Sequence, residues 1–71
     1  MIKLPDGREI EFVTAMEKMI YADSDLIYWV TETYLKRRRK NPDDPTLKQR
    51  LYDEFCKRYK SKHKKPFILD P

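Results

Sequence analysis

The chain has 71 residues, a net charge of +4 at pH 7, one cysteine and one histidine. A chain of this length forms one small domain, which buries only about 60% of the surface that its unfolded form exposes. The single cysteine excludes an intramolecular disulfide, and one cysteine with one histidine excludes zinc-finger spacing. We therefore expect one compact domain over residues 1–65, stabilised by apolar packing, and a C-terminal tail over residues 66–71.

The chain shows no apolar segment that suits a membrane or a secretory signal. Its longest uninterrupted apolar run, residues 26–30, has five residues, whereas a spanning helix needs about 20. The first residues lack both an apolar run and a cleavage site. We expect a cytoplasmic protein without a membrane partner.

The first 13 residues predict a β-hairpin. Residues 2–4 and 8–13 alternate apolar and polar side chains, and Pro5, Asp6 and Gly7 between them suit a turn. Because an isolated hairpin is marginal in water, its apolar face must pack on helices. The residues expected on that face are Ile2, Leu4, Ile10 and Phe12.

Two helices are predicted next. Thr14 and Glu17 fit a capping box, with Thr14 at the N-cap of a short helix that ends near Ala22. The polar residues 23–25 would stop this helix and cap the next one, which should run from about Asp25 to Lys40.

A loop over residues 41–45 precedes the third predicted helix, with Asp44 as N-cap and Pro45 as first helical residue. That helix should end near Lys62, and its i, i+4 stripe of Leu47, Leu51, Phe55 and Tyr59 should face the core. The short loop makes the second and third helices antiparallel neighbours. The fold class is therefore α+β and predominantly helical: a hairpin, a short helix and two longer antiparallel helices.

The tail holds a short apolar segment, Phe67, Ile68 and Leu69. This segment either adds a strand to the hairpin or docks into a groove.

No pattern in the chain indicates catalysis, a metal site or a cofactor. Cys56 and His63 lie seven residues apart on one predicted helix, about two turns, which is too far for a direct hydrogen bond. Cys56 is better explained as a small buried apolar residue. The paired aspartates precede helices, where capping accounts for them. A single glycine cannot build a phosphate-binding loop. We expect a non-enzymatic protein that acts by binding.

The charge is distributed unevenly. Residues 1–35 hold three basic and seven acidic residues, whereas residues 36–71 hold thirteen and five. A basic half is typical of nucleic-acid binding through phosphates. Part of this charge has another explanation: cations favour helix C-termini, and Asp53–Lys57 and Glu54–Arg58 suit i, i+4 ion pairs. The candidate DNA- or RNA-binding residues are Lys36, Arg38, Arg39, Lys40, Lys60, Lys62, Lys64 and Lys65.

The aromatic residues leave a second function open. Tyr34 precedes the basic run of residues 36–40, and Tyr59 lies between Arg58 and Lys60, as in base stacking. Both also fall on the apolar stripes of their helices, which favours core packing. Tyr28, Trp29 and Leu35 lie off the core stripe of their helix. They are covered by the hairpin and first helix, or they dock a protein partner. The alternative function is therefore a protein-interaction module, and a chain with acidic and basic halves could also form a homodimer.

Overall fold

The computed structural model describes residues 1–40 and 45–69, apart from the side chains of Arg37 and Arg38. The α+β, predominantly helical prediction is confirmed. Of the loop expected at residues 41–45, residues 41–44, including the proposed cap Asp44, lie outside the described residues. The elements in chain order are β1 (Ile2–Lys3), β2 (Glu9–Ile10), α1 (Phe12–Ala22), α2 (Ser24–Lys40) and α3 (Leu47–His63).

The hairpin is antiparallel and shorter than predicted. Ile2 pairs with Ile10, and Lys3 pairs with Glu9. Gly7 has φ +93°, a conformation that glycine adopts without strain, and its N–H donates to the Leu4 carbonyl at 3.0 Å. The turn prediction is confirmed.

Helix α1 begins two residues before Thr14, so the prediction that Thr14 caps it is wrong. Glu11 occupies the cap position without a side-chain hydrogen bond, and Thr14 lies exposed in the first turn. Phe12, expected on a strand, is helical, and its ring packs against Tyr34 with centroids 6.4 Å apart. Phe12 and Met19 share a face at i, i+7 spacing. Because Phe12 packs with the core, the helix starts before Thr14, the residue that the sequence pattern predicted as its cap.

Asp23 ends α1 and begins α2, as expected for residues 23–25. Its backbone is extended, and its N–H donates to the Met19 carbonyl at 3.0 Å. Its Oδ1 accepts a hydrogen bond from the Leu26 N–H at 3.1 Å, which is N-cap geometry. Helix α2 therefore starts at Ser24, one residue before the predicted start.

Helices α2 and α3 are antiparallel and enclose most of the core. Phe55 and Leu51 of α3 are buried, as predicted from the stripe. Helix α3 begins at Leu47, two residues after the predicted Pro45, and ends at His63; the C-cap Lys64 follows with a left-handed φ of 60°. The buried core cluster comprises Ile2, Leu4, Ala15, Met19, Ile27, Val30, Leu51, Tyr52, Phe55, Tyr59 and Leu69.

The apolar segment of the tail docks on α3 and forms no strand over residues 66–69. The Phe67 ring meets Phe55 edge-on at 4.9 Å and lies 5.3 Å from Tyr59. Leu69 is buried, and its carbonyl accepts a hydrogen bond from Arg8 Nη2 at 3.3 Å. Phe67 and Leu69 thus pack with the core, and Leu69 joins the hairpin turn to α3.

Candidate nucleic-acid interface

The antiparallel register of α2 and α3 places the predicted basic residues in two groups. Trp29 of α2 meets Arg58 of α3, and Asp23 at the start of α2 meets Lys62 near the end of α3. Each helix has 17 residues, or about 25 Å at 1.5 Å per residue. The cations that end α2 and those that end α3 therefore lie at opposite ends of the helix pair.

The group at the end of α2 divides between two stripes. Trp29, Thr33, Lys36 and Lys40 are spaced i, i+4, i+7 and i+11, so they share the side of α2 that faces Arg58. Lys36 and Lys40 are exposed. Arg39 is also exposed but lies on a neighbouring stripe of α2, not on that of Lys36 and Lys40. Arg38 is within α2, and its side chain is outside the description.

The basic residues at the end of α3 differ in whether their charge is already paired within the molecule. Lys60, Lys64 and Lys65 are exposed and make no ion pair within residues 1–40 and 45–69. Lys62, in contrast, donates from Nζ to Asp23 Oδ2 at 2.8 Å. The charge of Lys62 is therefore taken up inside the molecule, although the residue was a candidate for phosphate binding.

Asp23 is a nearly buried carboxylate with three polar neighbours. Its side chain is 8% exposed, and His63 Nε2 lies 2.8 Å from the same Oδ2 that Lys62 contacts. The hydrogen bond from Lys62 is the main cause that lowers the pKa of Asp23 to about 2, with His63 and the Leu26 N–H adding to it against the opposing effect of burial. The carboxylate is charged at neutral pH, and its role is structural: it caps α2 and pairs with Lys62.

Trp29 lies between the two basic groups. Arg58 Cζ is 4.8 Å from the Trp29 ring centroid, a cation–π distance. Arg58 Nε also donates to Glu54 Oε1 at 3.1 Å, which confirms that predicted ion pair. Trp29 remains 46% exposed, so part of the indole is accessible beside these cations.

The predicted Asp53–Lys57 ion pair is absent from the described structure. Asp53 Oδ1 instead accepts a hydrogen bond from Gln49 Nε2 at 3.2 Å. Lys57 is exposed and shares one side of α3 with Lys60 and Lys64 at i, i+3 and i+7 spacing. Sequence reasoning discounted Lys57 because it assumed that pair. The competing hydrogen bond from Gln49 could not be foreseen, since Gln49 is positioned by contacts with the hairpin.

The two tyrosines considered for base stacking pack with the core, as their positions on the apolar stripes predicted. Tyr59 is buried, and its ring lies 5.7 Å from Phe55 and 4.2 Å from His63. Tyr34 is half-buried against Phe12. Both rings are less exposed than that of Trp29.

Tyr28 and Leu35 lie on a different side of α2 from Trp29. They are 69% and 47% exposed, so neither the hairpin nor α1 covers them. At i and i+7 they share a stripe with Arg39. Val13 and Ile20, also spaced by seven residues, are exposed on α1. The three residues expected to form one docking surface thus divide between two surfaces.

Cys56 and His63 are not brought together. Cys56 lines an open groove of about 520 Å³ beside β1, with Tyr52 and Asp53 among its neighbours. Burial raises the pKa of both the Cys56 thiol and the Tyr52 hydroxyl, so both groups are protonated at neutral pH. His63 contacts Asp23 instead.

The described residues contain no group of three or more histidine, cysteine or acidic side chains arranged to hold a metal. Over the same part of the chain, no helix combines the length and apolar character that a bilayer crossing requires. Comparison of the chain with protein-family models, curated protein sequences and solved structures gave no match.

Proposed function

We propose that this chain is a non-enzymatic, cytoplasmic nucleic-acid-binding protein that contacts phosphates through exposed lysines of α2 and α3. The observation that carries the proposal is a set of exposed lysines without an ion-pair partner among the described residues. We call this set the α2–α3 lysines; it comprises Lys36, Lys40, Lys57, Lys60 and Lys64.

Two acidic residues of α3 near these lysines are engaged: Glu54 holds Arg58, and Asp53 accepts the hydrogen bond from Gln49. Glu32, four residues before Lys36 on α2, is exposed. The α2–α3 lysines are spread over the length of the helices, about 25 Å, or roughly seven nucleotides at 3.4 Å per nucleotide of one duplex strand. Cations spread over this length suit a phosphate backbone and carry no base-specific groups.

The test is the salt dependence of binding to a duplex of about 20 base pairs. Five lysine–phosphate contacts predict a log–log slope of about −4.5 and roughly 500-fold weaker binding after a fourfold rise in salt. The double variants Lys36→Ala/Lys40→Ala and Lys57→Ala/Lys60→Ala should each make the slope shallower by about 1.8.

The matched control removes two exposed lysines elsewhere, Lys3 and Lys18. Changing both to alanine should leave the slope nearly unchanged while removing the same net charge. Lys62→Ala should also change it little, because that lysine pairs with Asp23. Undetectable affinity for DNA and RNA at 50 mM salt, or an equal effect of the control variant, would overturn the proposal.

The second candidate function is a protein-interaction module, favoured by the exposure of Tyr28 and Leu35. Docking through these residues predicts weak salt dependence and no response to loss of the lysines. Tyr28→Ala/Leu35→Ala would then abolish binding. Sedimentation analysis across concentration tests whether the partner is a second copy of the chain.

A further inference from the structure

The position of Trp29 beside Arg58 has a consequence for the kind of nucleic acid that binds. Lys36 and Lys40 follow Trp29 along one side of α2 at i+7 and i+11. Arg58 of α3 lies over the indole at 4.8 Å, and its Nε pairs with Glu54. A half-exposed aromatic ring therefore lies next to Arg58 and on the same side of α2 as two lysines.

We propose that Trp29 is a stacking platform for an unpaired base, and that the preferred ligand is single-stranded nucleic acid. The inference rests on the proposed function, since the surrounding lysines supply the phosphate contacts. A flat aromatic ring beside cations that follow the backbone is the usual composition of single-strand binding surfaces. Arg58 contributes a second planar group, and guanidinium planes also stack on bases.

A duplex cannot use this ring in the same way. Paired bases stack on one another and present only their edges in the grooves. Trp29 lies on the side of a helix rather than on a projecting loop or wedge. It can therefore meet the face of a base only where that base is already unstacked.

Trp29 is the only tryptophan of the chain, so fluorescence excited at a wavelength that tyrosine does not absorb reports on this site alone. The native protein is titrated with a 12-nucleotide oligothymidylate, with a strand of the same length in which every base is replaced by an abasic site, and with a 12-base-pair duplex. Saturating oligothymidylate should quench and shift the Trp29 emission. The abasic strand, which offers the same phosphates, should leave it nearly unchanged.

Variants separate stacking from charge. By anisotropy of labelled strands, Trp29→Ala should weaken oligothymidylate binding about 5- to 150-fold, the range for loss of one stacked base. The affinity of this variant for the abasic strand should stay within about twofold of the native value, because no base is there to stack. Trp29→Phe should recover part of the loss. Tyr28→Ala, an exposed aromatic on the neighbouring stripe, is the matched control and should bind like the native chain.

The outcomes distinguish the two proposals. If binding of both DNA forms depends on the lysines but Trp29→Ala binds oligothymidylate with the affinity of the native chain, the stacking platform is overturned. The proposed function is then unaffected. Equal quenching by the abasic strand also overturns the stacking platform. If no strand binds, both proposals fail. Circular dichroism of Trp29→Ala and Trp29→Phe establishes that each variant is folded.

Discussion

The side-chain amide of Gln49 takes the place of a strand partner for the backbone of Lys3. Gln49 Oε1 accepts from the Lys3 N–H at 2.8 Å, and Gln49 Nε2 donates to the Lys3 carbonyl at 3.1 Å. One residue of α3 thereby binds both polar groups of a β1 residue that lies 46 positions away. A two-residue strand pair has little stability of its own, so this contact fixes the hairpin against α3.

Replacing Gln49 with methionine should loosen the hairpin. Methionine has a similar length but cannot make either hydrogen bond, and the contact is exposed. We expect a loss of about 1 kcal/mol in the free energy of unfolding, measured by urea titration. Lys60→Met, on the exposed side of the same helix, is the control. A Gln49→Met variant as stable as the control would show that the hairpin is held by apolar burial alone.

Core truncation should have a much larger effect. Phe55 is fully buried, and Leu51 is nearly so. Phe55→Ala should cost about 3–5 kcal/mol and Leu51→Ala about 2–5 kcal/mol, which approaches the whole stability of a domain this small. Thermal melts followed by circular dichroism measure this. Leu35→Ala, at an exposed position, should melt close to the native temperature, and an unchanged melt for Phe55→Ala would contradict the packing.

Asp23 should make stability depend on pH in the acid range. The pKa of its carboxyl is lowered from 3.8 to about 2 in the folded chain, chiefly by Lys62. A depressed folded pKa means that the stabilisation is complete above pH 3.8 and is lost as the pH falls through about 2. Asp23→Asn retains an N-cap side chain but loses the charge interaction. At pH 6 it should be about 2 kcal/mol less stable.

The difference between native and Asp23→Asn isolates this carboxylate from the other acidic groups. Urea midpoints of both proteins, measured from pH 6 to pH 2, should converge as Asp23 becomes protonated. A constant difference over the whole range would mean that the charge of Asp23 does not contribute to stability.

Cys56 should react slowly with thiol reagents. It is half-buried beside Tyr52, and burial raises its pKa, so the reactive thiolate is scarce at neutral pH. Iodoacetamide at pH 7.5, followed by mass spectrometry, should label the folded chain much more slowly than the chain in urea. Equal rates would place the thiol in open solvent.

Local patterns predict the elements of this fold well, but they predict the contacts between elements poorly. Proline, aspartate and glycine at residues 5–7 predicted the turn, and the i, i+4 stripe predicted the buried side of α3. The start of α1 was missed because Phe12 packs on Tyr34, a contact 22 positions away that no local signal encodes. The role of Arg58 was missed for the same reason, since its contact with Trp29 depends on the register of two helices.

Asp23 links the ends of three helices, with consequences for how the chain opens. Its N–H closes α1, its Oδ1 caps α2, and its Oδ2 holds the last turn of α3 through Lys62. Fraying at any one of these ends removes a partner from the other two. Independent fraying would give each terminus its own amide exchange rate. A shared carboxylate instead predicts that the amides of Asp23, Leu26 and Lys64 exchange with a common opening free energy, and that Asp23→Ala divides this single unit into three.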